Sequence, residues 1–138
     1  MPAGAVLFSP MTDLIVSGAS FIAKAADDPS ISSEAIRTRV NDYLGGVAAT
    51  DPLVSPIFAD LSGLPPLLIQ VGSHEVLLDD ATRLAAKAAA DDVTVMLDVT
   101  PDVPHVFQAF AGILDEGNAA LDRAAGFIGD HLIAAAAA

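Results

Sequence analysis

Few side chains in this sequence of 138 residues can carry proton-transfer or covalent chemistry. There are three histidines, His74, His105 and His131. Cysteine is absent, which removes thiolate nucleophiles, disulfides and cysteine-ligated metal. His74 adjoins Glu75, and Asp79 and Asp80 follow at once, so an imidazole and several carboxylates share one short stretch. One histidine among carboxylates is not a coordination set for a tightly held ion, so no metal is expected and His74 reads as an exposed loop residue. No cofactor is expected either. His131 falls near the end of a helical pattern, where the helix terminus favours a cation, and it reads as structural. His105 follows an apolar strand pattern, where an imidazole can serve as an acid–base or simply pack.

These residues must be placed by the surrounding elements. Ala3–Ser9 is a short apolar run closed by Pro10, which suits a strand buried on both faces of a parallel sheet. Its apolarity suggests a central position. Pro66–Val71, ended by Gly72, reads the same way. Val93–Val99 is β-branched and alternating, which predicts a third strand nearer a sheet edge. Ser32 or Ser33 is a plausible N-cap for a helix through Ile36, Val40 and Leu44, stopped by Gly45-Gly46. Asp79-Asp80 opens an Ala-rich helix to about Ala90, where capping and the positive helix terminus account for both carboxylates. Asp115-Glu116 opens the last helix. The order predicts an α/β fold of about three parallel strands with flanking helices, in one domain spanning residues 1–138. A mostly helical, cap-like excursion occupies residues 11–62, and residues 132–138 form an Ala-rich tail.

Composition narrows the partners. Lys and Arg number 6 against 18 Asp and Glu, for a net charge of −12, so nucleic acid and anionic membrane surfaces would repel the chain. Charged residues are only 17% and hydrophobic ones 53%, which excludes disorder. The first basic residue is Lys24, so a positively charged signal region is lacking. The longest apolar run, Leu64–Val71, holds two prolines and Gln70 and falls short of the ~18 residues that span a bilayer. The expected location is the cytoplasm.

Several segments taken in order resemble one family. They are Gly63–Gly72 followed by Glu75-Val76-Leu77-Leu78-Asp79-Asp80-Ala81, and then Pro104-His105-Val106-Phe107-Gln108. Ser9-Pro10 with Asp13-Leu14, and Asp51-Pro52-Leu53 with Ser55-Pro56, fall where relatives carry similar segments. Together they resemble the hormone-sensitive-lipase-like esterases of the α/β-hydrolase fold, and specifically the C-terminal half of that domain. The resemblance implies a partial α/β-hydrolase fold and a triad ordered nucleophile, acid, histidine. It places the acid at Glu75, with Asp79 as the competitor, and the histidine at His105. The carboxylate would hold the imidazole's tautomer while the imidazole shuttles the nucleophile's proton. Relatives more often carry Asp at the acid position.

The rest of the triad has no match here. No Gly-x-Ser-x-Gly elbow occurs; Ser17-Gly18-Ala19-Ser20 and Ser62-Gly63 are the nearest approaches. No His-Gly-Gly-Gly segment occurs to supply oxyanion donors. The expectation is therefore a truncated carboxylic-ester hydrolase, inactive alone and acting on an ester substrate only when another segment, such as an N-terminal half, supplies the serine. Two alternatives are a non-catalytic oligomer that self-associates through its exposed first strand and a small-molecule or protein-binding module. Met11, Leu14, Ile15, Phe21 and Ile22 are candidates to line an acyl pocket or simply to pack.

Overall fold

Leu67–Gly72 forms a strand (β2) whose six residues are all buried. The computed structural model describes residues 2–136. Burial on both faces follows from the pleat, because successive side chains point to opposite sides. Leu67, Ile69 and Val71 pack on Ala81, Leu84, Ala85 and Ala88 of helix α3 (Leu78–Ala90). Leu68, facing the other way, meets Ala124 and Phe127 of helix α4 (Asp115–Ala136). A helix on each face is the layered arrangement that parallel strands require.

Strand β1 (Ala5–Phe8) lies on one side of β2 and β3 (Val95–Thr100) on the other, both parallel to it. Registers Ala5 to Leu67 and Leu67 to Val95 align all three carboxyl ends at one edge. The third strand takes its expected edge position. The first is not central among the described residues: β1 is only half-buried and Phe8 is exposed, because β2 is its sole neighbour.

Gln70 is the polar residue of β2, and it is wholly buried. Its Nε2 donates to Asp98 Oδ2 at 3.0 Å and to the Ala120 carbonyl at 2.9 Å. Its Oε1 accepts Gln108 Nε2 at 3.2 Å. Satisfied in this way, the amide binds β3, α4 and the short 3₁₀ turn Phe107–Phe110 into one unit.

Between β1 and β2 run helix α1 (Ser20–Ala23), helix α2 (Ser33–Leu44) and a 3₁₀ turn at Pro56–Phe58. Ser32 caps α2 by accepting the Ala35 amide at 3.1 Å, and Gly45 ends it at φ +52°, a conformation glycine adopts without penalty. This segment has its own core of Leu14, Val16, Phe21, Ile36 and Val40, and that core includes Val76 and Leu77 from beyond β2. Met11 and Leu14 line a cavity of about 510 Å³ with Ile31, Ile36, Val40, Tyr43 and Val54. Phe21 is packed away and Ile22 is exposed. Helix α4 continues through Ala136, so part of the expected tail is helical; Ala137 and Ala138 lie outside the described residues.

Candidate active site

The turn after β2 carries Glu75, and the loop after β3 carries His105. Strands in adjacent register bring the two turns side by side at the carboxyl edge, where α/β sheets place ligands. Glu75 Oε2 lies 2.9 Å from His105 Nδ1. The other carboxylate oxygen, Oε1, accepts the Gly72 amide at 3.0 Å. Glu75 is fully buried, while the His105 side chain keeps 23% of its exposure. An ionised carboxylate can only accept, so with Glu75 in that form Nδ1 is the donor of this contact and Nε2 is the nitrogen left to exchange a proton. The two residues singled out in the sequence are therefore brought together.

Both turns are tied down by residues that the sequence patterns do not mark. Asp28 Oδ2 accepts the Val76 amide at 2.9 Å, and the Ser20 hydroxyl donates to the Val76 carbonyl. Val76, beside Glu75, is thus held at both backbone groups by the excursion. Asp27-Asp28-Pro29 reads in sequence only as a polar turn. On the histidine side, Ser73 Oγ accepts the Asp102 amide at 2.8 Å and His74 N–H donates to the Val103 carbonyl at 3.1 Å. Gly72 lies directly under this loop.

The remaining candidates sit apart from that pair. Asp79 exchanges hydrogen bonds with Ser20: its Oδ2 accepts the Ser20 amide, and its own amide donates to Ser20 Oγ, each at 3.0 Å. Asp80 Oδ2 accepts the Thr12 amide at 2.7 Å and the Asp13 amide at 3.0 Å. Capping of α3 is therefore not the full account of these two carboxylates, which fasten the excursion to the start of the helix. His74 Nε2 stands 3.4 Å from Asp102 Oδ1 at the surface. His131 Nδ1 lies 2.7 Å from the Phe127 carbonyl, and its ring is 4.2 Å from that of Phe127. Among the described residues no cluster of three or more His, Asp or Glu is arranged to hold a metal ion.

Asp13 and Asp80 are both buried near Arg83. Burial would raise Asp13, but bonds from Ser17, Arg83 and the Ile15 amide outweigh it and hold the carboxyl below its usual range. Burial raises Asp80, more than the Thr12 and Asp13 amides lower it. Among the described residues Asp80 Oδ1 has no hydrogen-bond partner. The two shifts act oppositely on stability. The Asp13 contribution is present above the ordinary aspartate range near pH 4 and is lost as pH falls through its depressed value. The Asp80 contribution is full below that range and is lost as pH rises through its elevated value.

Arg83 Nη1 donates to Asp13 Oδ2 at 2.8 Å. Arg83→Met is therefore expected to cost about 2 kcal/mol at pH 7, below the 3–5 of a fully buried pair because the guanidinium is partly solvated. The cost should shrink as pH falls and Asp80, whose carboxyl is held above the usual range by burial, takes up a proton, and Asp80→Asn should flatten that dependence. Urea midpoints across pH for the single and double variants check both; a penalty constant with pH would contradict them.

The alpha/beta hydrolase fold family Abhydrolase_3 matches residues 1–109, and the chain belongs to that family. An acetyl-hydrolase of Streptomyces hygroscopicus is 40% identical over 128 residues, covering 93% of this chain and 43% of that protein. An esterase of Acinetobacter venetianus is 40% identical over 128 residues, covering 92% of this chain and 42% of that protein. Among solved structures, an esterase from the bacterial hormone-sensitive lipase family is 46% identical with a TM-score of 0.93, covering 95% of this chain and 44% of that one. The chain thus spans less than half the length of these relatives, and its counterpart is the C-terminal part of a hormone-sensitive-lipase-like esterase. No helix among the described residues is long and apolar enough to cross a membrane.

Proposed function

We propose that this chain supplies the acid and the base of a carboxylic-ester hydrolase, with Glu75 and His105 as the catalytic pair and the nucleophilic serine on a further segment. The observation that carries this reading is the 2.9 Å contact between His105 Nδ1 and a buried carboxylate whose second oxygen is fixed by a backbone amide. An imidazole so held takes the serine hydroxyl proton at Nε2 as the serine oxygen attacks the ester carbonyl. It then gives that proton to the leaving alcohol; in the second half of the cycle it takes a proton from water as the water attacks the acyl-serine, and returns it to the departing serine oxygen. Glu75 fixes the tautomer and stabilises the imidazolium without itself being protonated. The acetyl-hydrolase and esterase relatives support an ester as the substrate class.

The serine-bearing segment is assigned to the open side of β1, whose outer backbone edge is unpaired among the described residues. On this reading the 138 residues alone hydrolyse no ester. The test is co-expression with the N-terminal portion of a hormone-sensitive-lipase-like esterase carrying a Gly-x-Ser-x-Gly elbow, assayed on a short-chain aryl ester. Turnover by the assembly and silence from the separate chain are expected. Turnover by the separate chain that His105→Ala abolishes would overturn the need for a second segment. A stable assembly with its serine intact and no turnover would overturn the hydrolase reading itself.

A further inference from the structure

Ser9, at the carboxyl end of β1, is 3% exposed and stands at φ +45°, in the left-handed region. Its amide donates to the Gln70 carbonyl at 2.8 Å, which continues the β1–β2 ladder past Phe8. Its hydroxyl accepts the amide of Val106 at 3.1 Å across a separation of 97 positions. Val106 directly follows His105 and stands at φ +49°, a conformation that is costly for a β-branched residue. Asp102, at φ +59°, opens the same loop. Backbone in this region persists only where its surroundings over-determine it.

The loop's attachments show how that is done. Ahead of His105, Ser73 and His74 hold Asp102 and Val103 to the acid turn. Beyond it, Gln108 is anchored to Gln70. At the residue immediately after the imidazole, the amide is held by Ser9. Rotating the peptide that joins His105 to Val106 would break this bond and swing the side chain off its line to Glu75. We propose that Ser9 is a positioning residue for His105, its hydroxyl fixing the Val106 backbone and with it the direction in which the imidazole reaches Glu75. The inference rests on the reading of Glu75 and His105 as the catalytic pair. It makes the first strand a contributor to the site through a side chain that touches neither substrate nor carboxylate.

The test uses the isotope-labelled 138-residue chain and two readouts, the His105 ring-nitrogen tautomer signature and amide hydrogen exchange. Ser9→Gly removes the hydroxyl and fits the left-handed backbone, so it separates the hydrogen bond from strain. Wild type is expected to show His105 as the single Nδ1-protonated form, with Val106 protected. In Ser9→Gly the single tautomer gives way to a mixture, and Val106 exchanges about 10-fold faster, the effect of losing one hydrogen bond. The Ile69 and Val71 amides of β2 stay protected. Glu75→Gln alters the tautomer and leaves Val106 protected, which shows that the two readouts are separable. An unchanged tautomer signature in folded Ser9→Gly overturns the proposal. So does loss of β2 protection in both Ser9→Gly and Ser9→Ala, because a positioning residue leaves the core intact. Catalytic turnover is not read, so an inactive assembly would defeat the hydrolase reading without touching this test.

Discussion

On the proposed reading, substituting His105 by alanine in the assembly with a serine-bearing segment is expected to lower kcat by about 10³-fold or more, with KM little changed, because proton transfer occurs only in the transition state. Glu75→Gln is the more informative partner experiment. Its two carboxylate oxygens have different tasks: Oε1 accepts the Gly72 amide and Oε2 faces His105 Nδ1. In glutamine the oxygen must stay with the Gly72 amide, which turns the NH₂ group toward the histidine. A donor facing Nδ1 forces the ring proton onto Nε2, the nitrogen that has to be bare to receive the serine proton. The expected loss is about 10²–10⁴-fold in kcat without unfolding. Glu75→Asp shortens the reach by one methylene on a turn whose Gly72 and His105 contacts are set for glutamate, so it is expected to lose activity, though less than Glu75→Gln. If Glu75→Gln retained wild-type kcat in an assembly that His105→Ala silenced, Asp79 or another carboxylate would have to be the acid.

The strands and helices were legible because their signals are local. Leu67–Gly72 is apolar and bounded by proline and glycine, and Ser32 caps its helix within three residues. Strand ends moved by one or two residues, since pairing partners rather than composition decide where a ladder stops. Glu75 and His105 were singled out as a pair only through the resemblance, and the structure brings their side chains into contact. In the local pattern Asp79 differs from Glu75 only in standing where a helix begins; in the structure Glu75 is the carboxylate that meets His105, whereas Asp79 bonds Ser20. What the patterns left unseen is long-range. Asp28 meets Val76 across 48 positions and Ser9 meets Val106 across 97. Each of these side chains has an ordinary local reading, as a turn former or the residue before a proline. Likewise β1 looked central from its apolar run, but centrality depends on neighbours that a strand's own residues do not encode.

Gly72→Ala is expected to displace the histidine loop or prevent folding altogether. A Cβ at Gly72 would collide with the Val103 carbonyl oxygen and lie 2.9 Å from that of Pro104. Both neighbours are backbone, so no side chain can swing aside. One of two things must move. If β2 shifts, it drags Ile69 and Val71, both wholly buried against α3. If the loop lifts, His74 loses its bond to the Val103 carbonyl and Asp102 loses Ser73. Close packing makes the first route the costlier, so the loop should yield. The expected loss of stability is about 3 kcal/mol, at the upper end for overpacking because the clash is with main chain. Urea midpoints measure that, and the His105 tautomer signature reports the displacement. The Gly72 amide also donates to Glu75 Oε1, so a moved strand end would release the carboxylate as well. Should Gly72→Ala keep both its midpoint and a single Nδ1-protonated His105, the close approach of loop and strand would not be what aligns the pair.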